Sequence, residues 1–525
     1  MKHALKNNTK LRKLGTYFIA VAVGIGFVLL LNQYFEIFDK IDFGKAIYIP
    51  NLLSIIFTVT IIATIFIVIL EKGHPSKTIA WILILILFPL VGILLYLYFG
   101  KNYRKDKIFS RKGVEDIPRI LALSKNQITE LDNHHLIKKE YIKGKKGIIR
   151  LLLNNSKALL TENNRIEIFN NGKEKFEALL ASLHNAKHHI HLQYYIIDDD
   201  HIGNLVKELL INKANEGVAV KVLYDEVGSW GLSKKFIREL RKGGVKISGF
   251  MPVRFPLFAN KVNYRNHRKI VVVDGRVGFL GGFNIADRYI EGTTALGPWR
   301  DTHLKIEGDA VHSLQAIFVA DWYFANSEYL KDEAYFPKHQ IMDKTLVQIT
   351  ACGPDSDWAS IMQAYFMAIT TAKKYIYIST PYFVPNESIM TALKIASLSG
   401  IRVIVLLPEK ADFFLYTWTT RSYVEELLEA GITVFSYQKG FTHSKVMIVD
   451  GIFSSVGSAN MDVRSFEQNF EVNALIYDKT TTDLLQTAFQ NDLKNSEEII
   501  FDEFKKRPSA HKFAESVAKI FTPLL

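Results

Sequence analysis

The sequence predicts an α/β protein: two duplicated α/β/α sandwich domains related by a pseudo-twofold axis, preceded by N-terminal transmembrane helices. Three observations carry this prediction. One phrase occurs twice, as "NHRKIVVVDGRVGFLGGFN" from Asn266 to Asn284 and as "THSKVMIVDGIFSSVGSAN" from Thr442 to Asn460. Amphipathic helical patterns alternate with short β-branched runs around both copies. The first hundred residues hold three long apolar runs without a charge.

In chain order, the apolar runs are Gly15–Leu31, Ile47–Leu70 and Ile79–Phe99. The last two each carry about the 20 uncharged residues that a bilayer core requires, and they lack the polar face a soluble helix keeps. Both read as spans. The first run follows Lys2, Lys6, Lys10, Arg12 and Lys13; bulky residues from Asn32 to Phe38 stand where a signal-peptide cleavage site needs small ones, so it reads as an uncleaved anchor. Basic residues also follow the third run, at Lys101, Arg104, Lys105 and Lys107. Three spans would put the two basic flanks on opposite sides, so one flank breaks the positive-inside rule or one run does not span. Residues 1–100 are thus a membrane region with two or three transmembrane helices. Residues 101–150, polar and basic, read as a juxtamembrane linker with one or two short helices.

The chain has 525 residues, 48% of them hydrophobic and 22% charged, enough for a membrane region and two ordinary domains. Its net charge of +12 favours a polyanionic partner, whether nucleic acid, an anionic membrane or a phosphorylated substrate. Its one cysteine, Cys352, excludes an intrachain disulfide.

The repeated phrase belongs to a longer duplication. "NAKHHIHLQYY" (Asn185–Tyr195) matches "TAKKYIYISTPYF" (Thr371–Phe383), "GVAVKVLYDE" (Gly217–Glu226) matches "GIRVIVLLPE" (Gly400–Glu409), and "GGVKI" (Gly243–Ile247) matches "AGITV" (Ala430–Val434). Four matched segments in the same order argue for two copies of one domain, with the boundary near Thr345. The first domain is expected over residues 151–345 and the second over 346–525. Helical patterns at Gly172–Ala186 and Thr419–Gly431 alternate with the buried-strand runs of an α/β sandwich.

Each phrase reads His-x-Lys, four residues, Asp-Gly, then a second strand ending in Gly-Gly or Gly-Ser with an Asn three positions after the first Gly. Asp-Gly between apolar strand residues signals a two-residue hairpin, making Asp274 and Asp450 turn residues first. Strand alternation projects His267 with Lys269, and His443 with Lys445, to one side. Counting back from a two-residue turn puts Gly282 opposite His267 and Ser458 opposite His443. Small partners there leave room for a tetrahedral group against the imidazole, with Asn284 and Asn460 placed to donate to it. Imidazole, ammonium and amide around a tight space make a phosphate site. Doubled about a twofold axis, the set allows one histidine to attack phosphorus while the other protonates the leaving alcohol and deprotonates the incoming one.

These paired His-x-Lys-x4-Asp motifs resemble the signatures of the phospholipase D superfamily. The wider text is similar to the bacterial cardiolipin synthases of that superfamily, through "EKGHPSKTIAWILILILFPLVGILLYLYFGK" (Glu71–Lys101), "RNHRKIVVVDG", "WRDTHLKIEG" (Trp299–Gly308), "DWYFA", "GPDSDW", "TPYFVPNES", "FTHSKVMIVDG", "NMDVRSFEQNFEVNALIYD" and the closing "TPLL". The likeness covers nearly everything from about residue 50 onward and leaves the first span unexplained. It implies two phospholipase D-type domains and a membrane phosphatidyltransferase that condenses two phosphatidylglycerols into cardiolipin and glycerol through a phosphatidyl-histidine. It implies His267 and His443 as nucleophile and acid/base, with His267 the preferred nucleophile, and Lys269, Lys445, Asn284 and Asn460 as phosphate ligands. Asp301 and Glu471 orient the imidazoles, and Asp274 and Asp450 complete the catalytic signature. Arg288 stands where family members often carry an acid. No metal or cofactor is implied. The implied partners are phosphatidylglycerol and anionic membrane lipid rather than nucleic acid, at a multi-pass site in the cell membrane with cytoplasmic catalytic domains. Rival readings are hydrolysis or transfer to another alcohol at the same site, a membrane-anchored nuclease, and a non-catalytic scaffold.

Two features fall outside this scheme. His184, His188, His189 and His191 cluster as zinc ligands would, yet strand alternation separates His188 from His189 and no second ligand group is evident. In the C-terminal segment, Phe513, Val517, Ile520, Phe521 and Leu524 share one helical stripe. That stripe either docks on the domain core, the default, or lies on a bilayer.

Overall fold

The computed structural model describes residues 49–70, 75–88, 92–93, 95–96, 117–133, 144–251, 264–341, 343–520 and 522. The chain divides into one unit of Met1–Tyr103 with Leu257–Asn263 and a second of Arg104–Pro256 with Tyr264–Leu525.

In the N-terminal unit, the run Gly15–Leu31 lies outside the described residues. The second run is helical over Ile49–Leu70, 22 residues, with side chains described from Thr60 onward; Ile62, Phe66, Ile69 and Leu70 are exposed. The third gives a helix at Pro75–Leu87 of only 13 residues, too short for a bilayer core. It stops two residues before Pro89, as the restricted backbone ahead of a proline favours. Val68, Leu85, Ile93 and Tyr96 bury one another, with Trp81 packed edge-on to Tyr96 at 5.5 Å. Among the described residues no helix is long and apolar enough to cross a membrane, so the expected set of spans is not found there.

The second unit bears out the duplication. One seven-stranded sheet runs, in spatial order, Asn164–Phe169, His303–Gly308, Val277–Gly281, Ile270–Val273, His189–Tyr194, Ala219–Asp225, Lys246–Phe250. The other repeats that order as Val347–Cys352, Glu471–Ile476, Phe453–Gly457, Val446–Val449, Tyr375–Ser379, Arg402–Pro408, Thr433–Tyr437, and adds Leu160–Thr161 and Ser496–Glu498 at its edges. The inner faces of both sheets share one apolar core, in which Ile270, Val272 and Leu304 meet Ile448, Val472 and Ala474. The helices Ala310–Asn326 and Lys479–Leu493 contribute Val311, Leu314, Leu485 and Phe489 to it. Each outer face carries its own helices and core.

Alternation along His189–Tyr194 explains the histidine cluster. Ile190, Leu192 and Tyr194 face the outer core. On the other side His189 Nε2 and His191 Nδ1 lie 3.1 and 3.2 Å from Gln315 Oε1, and His191 stacks on Phe318 at 4.5 Å. Burial pushes His189 down to about 4, so these imidazoles are neutral packing groups.

Three expectations change. Residues 144–161 belong to the second half: the helix Lys146–Asn155 buries Ile148, Ile149, Leu152 and Leu153 in that half's outer core, and Leu160 pairs with Gln348. The first half therefore begins at Asn164, not 151, because the helix carries an apolar face that only the second half covers.

The Asp-Gly turns form as expected, with positive φ at Asp274 and Gly275 (54° and 63°) and at Asp450 and Gly451 (57° and 69°). The ladder, however, resumes with Val273 opposite Val277 and Val449 opposite Phe453, a three-residue loop. The extra residue shifts the expected pairing by one, and the ladders end before reaching either histidine.

The C-terminal helix Ser509–Ile520 docks with the face opposite to its apolar stripe. Glu515 and Ala518 are buried while Phe513 is 72% and Ile520 74% exposed. The cause is electrostatic: Glu515 accepts from Arg507 at 2.7–3.1 Å and from Arg421 at 3.3 Å, which draws the polar face inward. Phe521 and Leu524 lie outside the described residues.

Leu152→Ala removes a fully buried side chain from the second half's core and is expected to destabilise the protein by about 3 kcal/mol. Thermal unfolding measures the loss; an unchanged midpoint would show that this helix does not seal the second half.

Candidate active site

The two halves meet through paired backbone. Trp299–Arg300 pairs in parallel with Phe441–Thr442, and Asn266 bridges to Phe470. The His443 N–H donates to the Arg300 carbonyl at 2.7 Å, and the His267 N–H to the Phe470 carbonyl at 2.9 Å. These bonds set each histidine beside an acid from the other half. His443 Nδ1 lies 2.6 Å from Asp301 Oδ2, and His267 Nδ1 lies 3.0 Å from both Glu471 oxygens. The sequence offered both acids without saying which served which histidine; the structure exchanges them. Since an ionised carboxylate only accepts, Nδ1 carries the hydrogen and Nε2 is the free lone pair in each neutral ring.

The small residues of the second strand make room for these acids rather than for substrate. A Cβ on Gly282 would lie 2.0 Å from Asp301 Oδ1. In the other half Ser458 Oγ donates to Glu471 Oε2 at 2.5 Å. The expected opposition of Gly282 to His267 and of Ser458 to His443 therefore gives way to a role behind the opposite imidazole.

Lys269 and Lys445 are buried with the histidines, each Nζ donating to the carbonyl of the histidine two residues before it, at 2.8 and 2.5 Å. Both ammonium groups feel the charges of both acids, Asp301 and Glu471, so the six side chains form one electrostatic cluster. Burial pushes Lys269 down to about 7 and Lys445 to about 8. Burial also lowers His267, against the pull of Glu471, and lowers His443 to about 4, against Asp301. Burial alone would raise Glu471, but the charges of His267 and Lys269 hold it below its ordinary value. A pocket in which buried cations hold their protons weakly gains most from an entering anion, which restores the ammonium charge.

The remaining expected residues divide. Asn284 is committed elsewhere: its Oδ1 accepts from Ile196 N–H at 3.1 Å and its Nδ2 donates to the Tyr289 hydroxyl at 2.5 Å. Asn460 is buried, and its Oδ1 has no hydrogen-bond partner among the described residues. Asp274 and Asp450 sit in the turns at the far ends of their strands. Asp274 accepts backbone N–H bonds from Lys187, His188 and His189 at 2.8–2.9 Å, and Asp450 from Lys373, Lys374 and Tyr375 at 2.8–3.3 Å. Each fastens its hairpin to the neighbouring strand and touches no imidazole, so their place in the catalytic signature is structural. Arg288 pairs with Asp198 at 3.1 Å.

Sequence reasoning missed an aromatic lining. Tyr195 packs edge-on to His267 at 4.9 Å, with Lys269 Nζ 5.4 Å from its ring centre. Trp299 and Tyr382 lie 5.3 and 6.4 Å from His443. The signal was present: Tyr195 closes "QYY" and Tyr382 stands in "TPYF", matched segments at the ends of equivalent strands. Two arginines were also missed. Arg268 donates to the Glu471 and Cys352 carbonyls, both at 3.1 Å, and to Asp321 at 2.6 Å. Arg300 donates to the Asp301 carbonyl at 2.5 Å, to Ser444 at 3.1 Å and to Asp492 at 2.9 Å. Both side chains tie the halves together behind the acids.

Two α/β halves that pool a pair of histidines and a pair of lysines in one anion-seeking pocket define an enzyme of the phospholipase D class. The family described as cardiolipin synthase, phospholipase D-like domain, matches residues 179–322 and 365–493, and the phospholipase D-nuclease N-terminal family matches residues 58–101. A cardiolipin synthase of Alkalihalophilus pseudofirmus is 43% identical over 90% of this chain and 94% of its own length. The major cardiolipin synthase of Bacillus subtilis is 41% identical over 90% of this chain and 99% of its own. The solved phosphatidylserine synthase of Haemophilus influenzae shares the fold, with a TM-score of 0.56 and 16% identity over 73% of this chain and all of that one. The chain belongs to the cardiolipin synthase family.

Gly282→Ala is expected to push the Asp301 carboxylate off His443 and to lower turnover about 100-fold, the scale of a 1 Å misplacement, with the fold retained. Steady-state kinetics beside circular dichroism measure this; wild-type turnover would show that Asp301 does not need that space.

Proposed function

We propose that this protein condenses two phosphatidylglycerol molecules into cardiolipin and glycerol through a phosphatidyl-histidine. The observation that supports the reading most directly is the exchanged pairing: two imidazoles, each backed at Nδ1 by an acid of the other half, leave two Nε2 lone pairs at one buried, lysine-lined pocket. His267 Nε2 attacks phosphorus and the bond to the glycerol oxygen breaks, that oxygen taking a proton from His443 Nε2. The hydroxyl of a second phosphatidylglycerol then gives its proton to His443 and attacks phosphorus, and the phosphorus–nitrogen bond breaks to release cardiolipin and His267. Lys269, Lys445 and Asn460 hold the phosphate oxygens, Glu471 and Asp301 stabilise the imidazolium forms, and Asn284 supports the pocket wall. Burial lowers the proton affinity of both rings, which suits the attacking histidine. The anionic lipid, together with Asp301, stabilises the proton that His443 must carry. His267 as nucleophile rests on the resemblance to the family and on its slightly greater exposure, 12% against 7% for His443.

The membrane placement is part of the same proposal. The sequence run Ile47–Leu70 carries no charge, and its part from residue 58 onward lies within the match to the N-terminal family. We assign residues 1–100 to the cell membrane and the catalytic halves to its cytoplasmic side.

Thin-layer chromatography of labelled phosphatidylglycerol tests the reaction, with wild type beside His267→Ala and His443→Ala and no added metal. Cardiolipin from wild type and at least 1,000-fold less from either variant is expected; phosphatidic acid as the product would make the protein a hydrolase. The dependence of kcat/KM on pH gives a second test. Because burial lowers His267, the acidic limb should fall below the ordinary imidazole value of about 6.5. Glu471 pulls that value up, so Glu471→Gln should move the limb to still lower pH while reducing turnover. A shift to higher pH would refute the assignment of Glu471 to His267.

A further inference from the structure

The C-terminal helix Ser509–Ile520 runs beside the helix Phe414–Glu429 in the same direction, as three contacts show. The Trp418 ring lies 5.2 Å from His511, Arg421 pairs with Glu515 at 3.3 Å, and Glu426 with Lys519 at 3.6 Å. Both helices leave large apolar side chains in solvent: Phe413 is 56%, Phe414 75%, Phe513 72% and Ile520 74% exposed. Exposed lysines accompany them at Lys410, Lys505, Lys506 and Lys519, interspersed with exposed acids at Glu409, Asp412, Asp502 and Glu503. Large apolar side chains ringed by charged groups in this way fit a bilayer boundary, where rings enter the acyl region and ammonium groups meet headgroups.

This surface is joined to the active site by a continuous line of rings. Phe413 meets Tyr416 at 6.2 Å, Tyr416 stacks on Tyr382 at 4.2 Å, and Tyr382 meets His443 at 6.4 Å. The Tyr382 hydroxyl donates to Asp412 at 2.5 Å, which fixes its ring at the turn that carries Phe413. Exposed apolar patches mark contact surfaces, and a patch that leads by a line of neighbouring rings to a catalytic histidine faces whatever delivers the substrate.

Building on the lipid-transfer reading, we propose that Phe413, Phe414, Phe513 and Ile520 form a bilayer-docking edge, and that the Phe413–Tyr416–Tyr382 ring line carries a phosphatidylglycerol headgroup from it to His443.

Two measurements on the full-length protein test this. In vesicles of phosphatidylcholine and phosphatidylglycerol with brominated acyl chains, Phe414→Trp should show more fluorescence quenching than wild type, and none of the excess with unbrominated chains. An added tryptophan indifferent to bromine overturns the docking. In the second arm, the Phe414→Ser/Phe513→Ser double variant should lose tenfold or more in kcat/KM on vesicle phosphatidylglycerol and stay within twofold on a short-chain, monomeric phosphatidylglycerol. Equal loss on both substrates, or no loss on vesicles, overturns the proposal. If wild type converts neither substrate, the transferase reading fails, and the quenching arm still decides the docking.

Discussion

Everything at the centre of this protein depends on the exchange of carboxylates between its halves. Asp301 serves His443 and Glu471 serves His267, so neither half holds a complete histidine–acid pair. Both pairs are buried, where a lone charge is costly. The halves must therefore be held in register tightly enough to keep hydrogen bonds of 2.6 and 3.0 Å. The parallel bridges at Trp299–Phe441 and Asn266–Phe470, the two arginines behind the acids and the shared inner core all hold that register. Duplication followed by exchange makes the interface and the active site the same object.

The exchange is symmetric in backbone but not in side chains. Behind Asp301 lies the buried Lys175, bonded to the Tyr194 hydroxyl at 3.2 Å, its proton affinity sharply reduced by burial. His303 beside it is fully buried, and neither ring nitrogen has a hydrogen-bond partner among the described residues. In the other half, Tyr365, Asn473 and Ser455 form a neutral hydrogen-bonded group. Two imidazoles with the same motif thus face different fields, a physical basis for two roles.

Much was legible beforehand. The duplication, the buried sheets and the pairing of His with Lys on one side follow from periodicity and local sterics, which neighbours along the chain determine. The shift of the ladder by one residue was not legible, because a turn closed between Val273 and Arg276 is compatible with either continuation. The roles of Gly282 and Ser458 were misjudged for the same reason: their partners, Asp301 and Glu471, come from another strand. The C-terminal stripe shows the limit of periodicity. It identified the apolar face of Ser509–Ile520, yet ion pairs from Arg507 and Arg421 decided which face turned inward.

By itself the sequence determined the chemistry, since the residue types and their repeated spacing allow few reactions other than transfer at phosphorus, and it determined the fold through patterns that act over short distances. Only the tertiary structure decided which acid serves which histidine, which asparagine is committed to the wall, and that Asp274 and Asp450 fasten hairpins. Those assignments depend on contacts between residues some 75 to 200 positions apart, and no local rule relates such residues until the sheets have closed on one another.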